Sequence, residues 1–120
     1  MTKMDKKVKK MWVDRLKELP PERQGKSYLY RKGTDQMCCL GVLCEIAVEQ
    51  GVIDPGKPDF RRYYLEYGLS NNFEFLPIEV IKWAGLNLQD PQIGKYTATQ
   101  YNDNEGKSFV QIANLINRYL

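Results

Sequence analysis

An α+β fold, three main helices packed on a small antiparallel sheet, is predicted by three observations on the 120 residues. Residues 37–48 form a run with ten of twelve positions apolar, broken only by Gly41 and Glu45. Residues 3–19 and 108–119 repeat apolar side chains at steps of three and four, the spacing of a helix that buries one face. At Lys26 the period changes, and Tyr28 and Tyr30 alternate as on a strand. A chain of this length with 42% hydrophobic residues fits a single domain, 1–120.

In the first predicted helix, Met4, Val8, Met11, Trp12, Leu16 and Leu19 form the stripe and lysines fill the other side. Pro20-Pro21 ends it, because Pro20 lacks an N–H and excludes helical geometry at Leu19. Residues 26–31 read as a strand, Lys32-Gly33-Thr34-Asp35 as a turn, and 36–38 as the return strand. The apolar run is the central helix, closed at Gly51 by a left-handed cap. It is too short to span a bilayer, which takes roughly 20 apolar residues. Two prolines and a glycine make 54–59 a loop. The tract that follows, to Tyr67, has no clean period, and Asn71-Asn72 predicts a turn. Pro77 suits the first position of a short helix with Val80, Ile81 and Ala84 inward and Gly85 as its stop. Residues 87–96 read as loop with one small strand, and 97–101 as a turn of helix. Ser108 with Gln111 forms a capping box, and Phe109, Ile112, Ala113, Ile116 and Tyr119 give the last helix its stripe.

Charge is uneven. Residues 1–33 carry eleven Lys or Arg against four acids, a net +7, while the remainder carries −4. The basic end offers a contact surface for phosphates, or a solvated helix face. The start of the chain pairs no basic region with an apolar segment, so a signal peptide is not expected and a cytoplasmic location is. Three cysteines, two adjacent and all in the apolar run, read as buried, reduced thiols. Aliphatic surroundings disfavour their thiolates, and one element without paired spacing does not suit zinc.

The chain has no histidine, so the commonest neutral-pH general base is missing. Residues 101–106 imitate a calcium loop. With Gly106 at the sixth position, however, Tyr101 falls where the first carboxylate belongs and Ile112 where the bidentate glutamate belongs. Asn102 and Asp103 therefore read as a polar turn or as ligand contacts. The glycine–lysine pairs lack the rest of a phosphate loop, and no cofactor is expected. Cations beside aromatics remain: Tyr28, Tyr30, Arg31 and Lys32, then Arg61, Arg62 and Tyr63. Arginine forks suit phosphates and tyrosine faces suit bases, although half-buried tyrosines of a small sheet give the same pattern.

The whole chain resembles a family of small, mostly uncharacterised proteins of tailed bacteriophages. The resemblance rests on Trp12 and Leu16, on Cys38-Cys39-Leu40-Gly41-Val42-Leu43-Cys44, on Leu76-Pro77 with Trp83 and Gly85-Leu86, and on Asn102-Asp103 with Gly106, Ser108-Phe109, Ile112-Ala113 and Ile116. It implies a virus-encoded protein working inside a bacterial host cell. The preferred reading is a non-catalytic binding protein that sequesters a nucleotide-derived immune signal of the host. The alternatives are an enzyme acting on such a nucleotide through Asp35, Glu45 or Asp103, and an inhibitor that binds protein or nucleic acid through the lysine face of the first helix. Enclosing a small nucleotide-type ligand in so short a chain is easiest at a seam between protomers, so a homo-oligomer is expected with Arg61, Arg62 and Tyr63 or the 30–32 group at the seam. No membrane partner is expected.

Overall fold

The architecture follows from one buried helix and from what closes around it in the computed structural model, which describes residues 3–58, 65–69 and 72–120. Among the described residues the four α-helices are α1 (Lys6–Glu18), α2 (Cys39–Glu49), α3 (Ile78–Ala84) and α4 (Phe109–Tyr119). Two short antiparallel ribbons accompany them, β1 (Lys57–Pro58) with β2 (Leu65–Glu66) and β3 (Gln92–Ile93) with β4 (Tyr96–Thr97). The class is α+β, as the sequence predicts.

Helix α2 is apolar on nearly every side, and Cys39, Leu40, Gly41, Val42, Leu43, Cys44, Ile46 and Ala47 are all buried. It ends in a Schellman motif. Gly51 takes φ +74°, its N–H donates to the Val48 carbonyl at 3.1 Å, and the Val52 N–H donates to Ala47 at 2.9 Å. Helix α1 begins at Asp5, whose Oδ1 accepts from the Val8 N–H at 3.0 Å, and stops where Pro20 forces Leu19 into extended geometry. It packs on α4 and α2. Trp12 is fully buried, with its indole N–H donating to the Cys39 carbonyl at 2.9 Å, so the polar end of the ring is satisfied inside the core.

Both arms of the Ser108/Gln111 capping box form, at 3.2 and 2.9 Å. Phe109, Ile112, Ala113 and Ile116 are buried, but Tyr119 is 47% exposed, so the stripe of α4 ends a turn earlier than its spacing predicts. In α3, Pro77 is the cap residue and Gly85 the left-handed stop. The Asp5 N–H donates to the Ala84 carbonyl at 2.8 Å and ties this end of α3 to the start of α1.

The strand predicted at 26–31 is not there. Ser27 takes φ +68°, and the backbone groups that follow are shared among separate segments. Cys38 donates to Tyr28, Leu29 donates to Phe73, Leu65 donates to Tyr30, and Arg31 donates to Gln36. With a different partner at each residue no ladder accumulates, and one isolated bridge, Arg31 to Gln36, remains of the hairpin. The ribbons form elsewhere. One of them recruits Lys57 and Pro58 from the predicted proline loop, with Lys57 opposite Glu66 and Pro58 opposite Leu65. The other turns around Gly94, with Gln92 opposite Thr97. Among the described residues, no helix is long and apolar enough to cross a membrane.

Candidate functional site

Asn102 and Asp103 lie in a π-helical turn, Gln100–Asn104. Asn102 is 1% exposed and uses its full hydrogen-bonding capacity inside the chain. Its amide hydrogens go to the Gly25 carbonyl and to Asp103 Oδ1, each at 2.8 Å. Its oxygen accepts from Gln24 Nε2 at 3.0 Å and from the Cys39 N–H at 3.2 Å. Cys38 offers α2 no side-chain cap, so Asn102, distant in sequence, satisfies one of the donors that a helix start leaves open. Asp103 Oδ1 also accepts from the strained Ser27 N–H at 3.1 Å, and Gln24 reaches the Phe109 N–H at 3.1 Å. This polar cluster joins the 24–27 segment to the starts of α2 and α4.

The 28–32 group is only partly brought together. Tyr28 is buried, with its ring lying over Gly25 and its hydroxyl donating to Gln36 Oε1 at 3.3 Å. Tyr30 is half-buried, and its hydroxyl donates to Asp35 Oδ1 at 2.7 Å. Burial, followed by that bond to Asp35, pushes its pKa up to about 12. Arg31 is exposed and Lys32 half-exposed. Arg61, Arg62 and Tyr63 lie outside the described residues. The carboxylates of the enzymatic alternative are each engaged by donors of the chain itself. Asp35 is held by Tyr30, Glu45 by the Tyr67 hydroxyl at 2.7 Å, and Asp103 by Ser27 and Asn102. Among the described residues, no three Cys, Asp or Glu are grouped so as to hold a metal ion.

Among the described residues, the lysine face of α1 is a basic surface. Val8, Trp12 and Leu16 turn into the core, which leaves Lys6, Lys10 and Lys17 exposed and Lys9 partly so. Beside α4 these four line an open groove of about 450 Å³ with Val13, Asp14 and Asn117. A second opening of about 330 Å³ shares Lys6 and Lys9 with it and is lined also by Lys3, Met4, Arg118, Tyr119 and Leu120. Among the described residues, six side-chain cations thus line the two openings with one side-chain acid, Asp14, which takes Lys10 at 2.7 Å in an exposed pair that is weak in water. Lys9 donates to the Asn117 carbonyl at 3.3 Å, the usual place for a cation at a helix C-terminus. No carboxylate pairs with Lys3, Lys6 or Lys17 among the described residues. The basic half of the chain announces this face in sequence. The contributions of Asn117 and Arg118, a hundred residues away, carry no local signal.

A small α+β protein with a buried central helix and a basic helical groove is the class that fold and surface define. The chain belongs to the family described as Domain of unknown function (DUF8296), whose model matches residues 4–120. No curated protein and no solved structure matches it.

Proposed function

We propose that this is a non-catalytic binding protein for a phosphate-bearing ligand, held by the basic groove between α1 and the end of α4. The observation that supports the reading is the excess, among the described residues, of six side-chain cations over one side-chain acid along that groove, with no carboxylate there paired to Lys3, Lys6 or Lys17. Lysine ammoniums on an open surface attract phosphates through charge, and no general base is called for. Asp35, Glu45 and Asp103, each already held by the chain, favour binding over catalysis.

The narrower form of the proposal is a phage protein that sequesters a nucleotide-derived immune signal in the bacterial host. In that form Arg61, Arg62 and Tyr63 would contribute to a seam between protomers, and light scattering with and without ligand tests the oligomer. The test of function is to incubate the protein with labelled nucleotides, denature it and analyse what is released. Intact ligand, lost in a Lys6→Glu/Lys9→Glu variant, supports the proposal. Cleaved product sinks it in favour of an enzyme.

A further inference from the structure

We infer that the α1 groove takes the phosphate backbone of a nucleic-acid duplex without reading its sequence, an inference that rests on the phosphate-binding reading above. Three features favour this occupant over a free nucleotide. The first is extent. From Lys6 to Lys17 the helix rises about 16 Å at about 1.5 Å per residue, and a duplex strand presents a phosphate about every 3.4 Å of axis. A row of cations this long runs beside about five phosphates, more than a mononucleotide carries.

The second feature is the lack, among the described residues, of a place to stack a base. The one ring they put on the groove is Tyr119 at its far end. That ring already lies under the Arg118 guanidinium, 5.2 Å from its centroid, and against Gly94, where an added Cβ would sit 2.9 Å from it. Free nucleotides and single strands are gripped largely by stacking, whereas a duplex keeps its bases inside and needs only its backbone met. The third feature is chemical type. Five of the six cations are lysines, flexible point charges without a planar fork, the guanidinium of the sixth, Arg118, lies over the Tyr119 ring, and the Lys10 side chain is 77% exposed, as an open track requires and an enclosing pocket does not.

The test measures fluorescence anisotropy of the full chain with two 20-base-pair DNA duplexes of unrelated sequence, a single strand of the same length, and ATP, between 50 and 200 mM salt. Both duplexes should bind within about twofold of each other and more tightly than the single strand or ATP. The logarithm of affinity should fall against the logarithm of salt with a slope of about −3 to −4, corresponding to about four phosphates. Lys6→Gln, Lys10→Gln and Lys17→Gln should each weaken both duplexes alike and reduce the slope by about 1, while Lys82→Gln on α3 should change neither. Asp14→Asn should tighten binding by about threefold, since it removes the acid facing the backbone. Far-UV circular dichroism confirms that each variant is folded. Lysine-dependent binding of ATP without duplex binding overturns the duplex and leaves phosphate binding standing. No binding of any probe overturns both. Duplex binding indifferent to all three lysines, or differing tenfold between the sequences, overturns the inference as well.

Discussion

Gly41 sits in the middle of a buried helix, where glycine is normally destabilising relative to alanine by about 1 kcal/mol, and its neighbour explains why it is there. A Cβ on Gly41 would lie 1.7 Å from the Leu29 carbonyl oxygen and 2.6 Å from its carbon. The hydrogen of glycine is what lets the irregular 28–31 segment press onto α2. Propensity argues for Gly41→Ala and packing argues against it, and packing wins because backbone cannot swing aside as a side-chain tip can. The substitution should cost about 3 kcal/mol or more and displace Leu29 from Phe73. A urea midpoint within experimental error of the parent would remove this account of the Cys-Cys-Leu-Gly-Val-Leu-Cys string. The same string shows why core residues can carry a family resemblance without naming a function. Its cysteines are buried free thiols, and Cys39 Sγ rests 3.6 Å from the Ala98 carbonyl.

At the scale of elements, the helices were legible because each carries its own punctuation. Pro20 stops α1, Gly51 and Gly85 close α2 and α3, and Ser108 with Gln111 opens α4, all through bonds within a few residues. What was not legible depends on partners far along the chain. Tyr28 and Tyr30 alternate as a strand does, yet their backbone groups go to segments that sequence spacing does not reveal. Likewise Asn102 reads as a turn residue, whereas its side chain serves the starts of other elements. Two caps of similar appearance should therefore differ when removed. Ser108→Ala gives up an exposed capping bond and should cost about 1 kcal/mol. Asn102→Ala leaves the Cys39 N–H and the Gly25 carbonyl buried without their partner, at about 1–3 kcal/mol for each orphaned group, so its cost should be about 3 kcal/mol or more. Chemical denaturation of both variants checks the order, and equal losses would show that the Asn102 cluster is replaceable by water.

At the scale of the whole molecule, the three thiols and Tyr67, which ionise above neutrality, are buried within one core, so the fold should be vulnerable to alkali. Burial pushes the Cys38 thiol up to about 12 and raises Cys39 and Cys44 well above the ordinary thiol value. Tyr67 is likewise raised, first by burial and then by the Glu45 carboxylate beside it, and Tyr30 is raised to about 12. In the unfolded chain thiols lose their protons near pH 8.5 and tyrosines near 10. Above those values the folded state binds more protons than the unfolded one, so stability falls as pH rises. It is fully present below about pH 8.5, begins to drop as unfolded thiols ionise, and drops faster above about pH 10 when the tyrosines join. Each strongly shifted, buried group removes about 1.4 kcal/mol per pH unit, so three thiols together remove about 4. Against a typical total of about 5–15 kcal/mol, that places the alkaline unfolding midpoint between about pH 10 and 12. Trp12, fully buried against α2, supplies the fluorescence readout. Thiol labelling supplies the second, and should stay slow through pH 9, where a solvent-exposed cysteine would react readily, then rise together with the fluorescence change. A chain that keeps its native fluorescence beyond pH 12, or whose three thiols are modified at once at pH 8, would contradict the burial from which the argument starts.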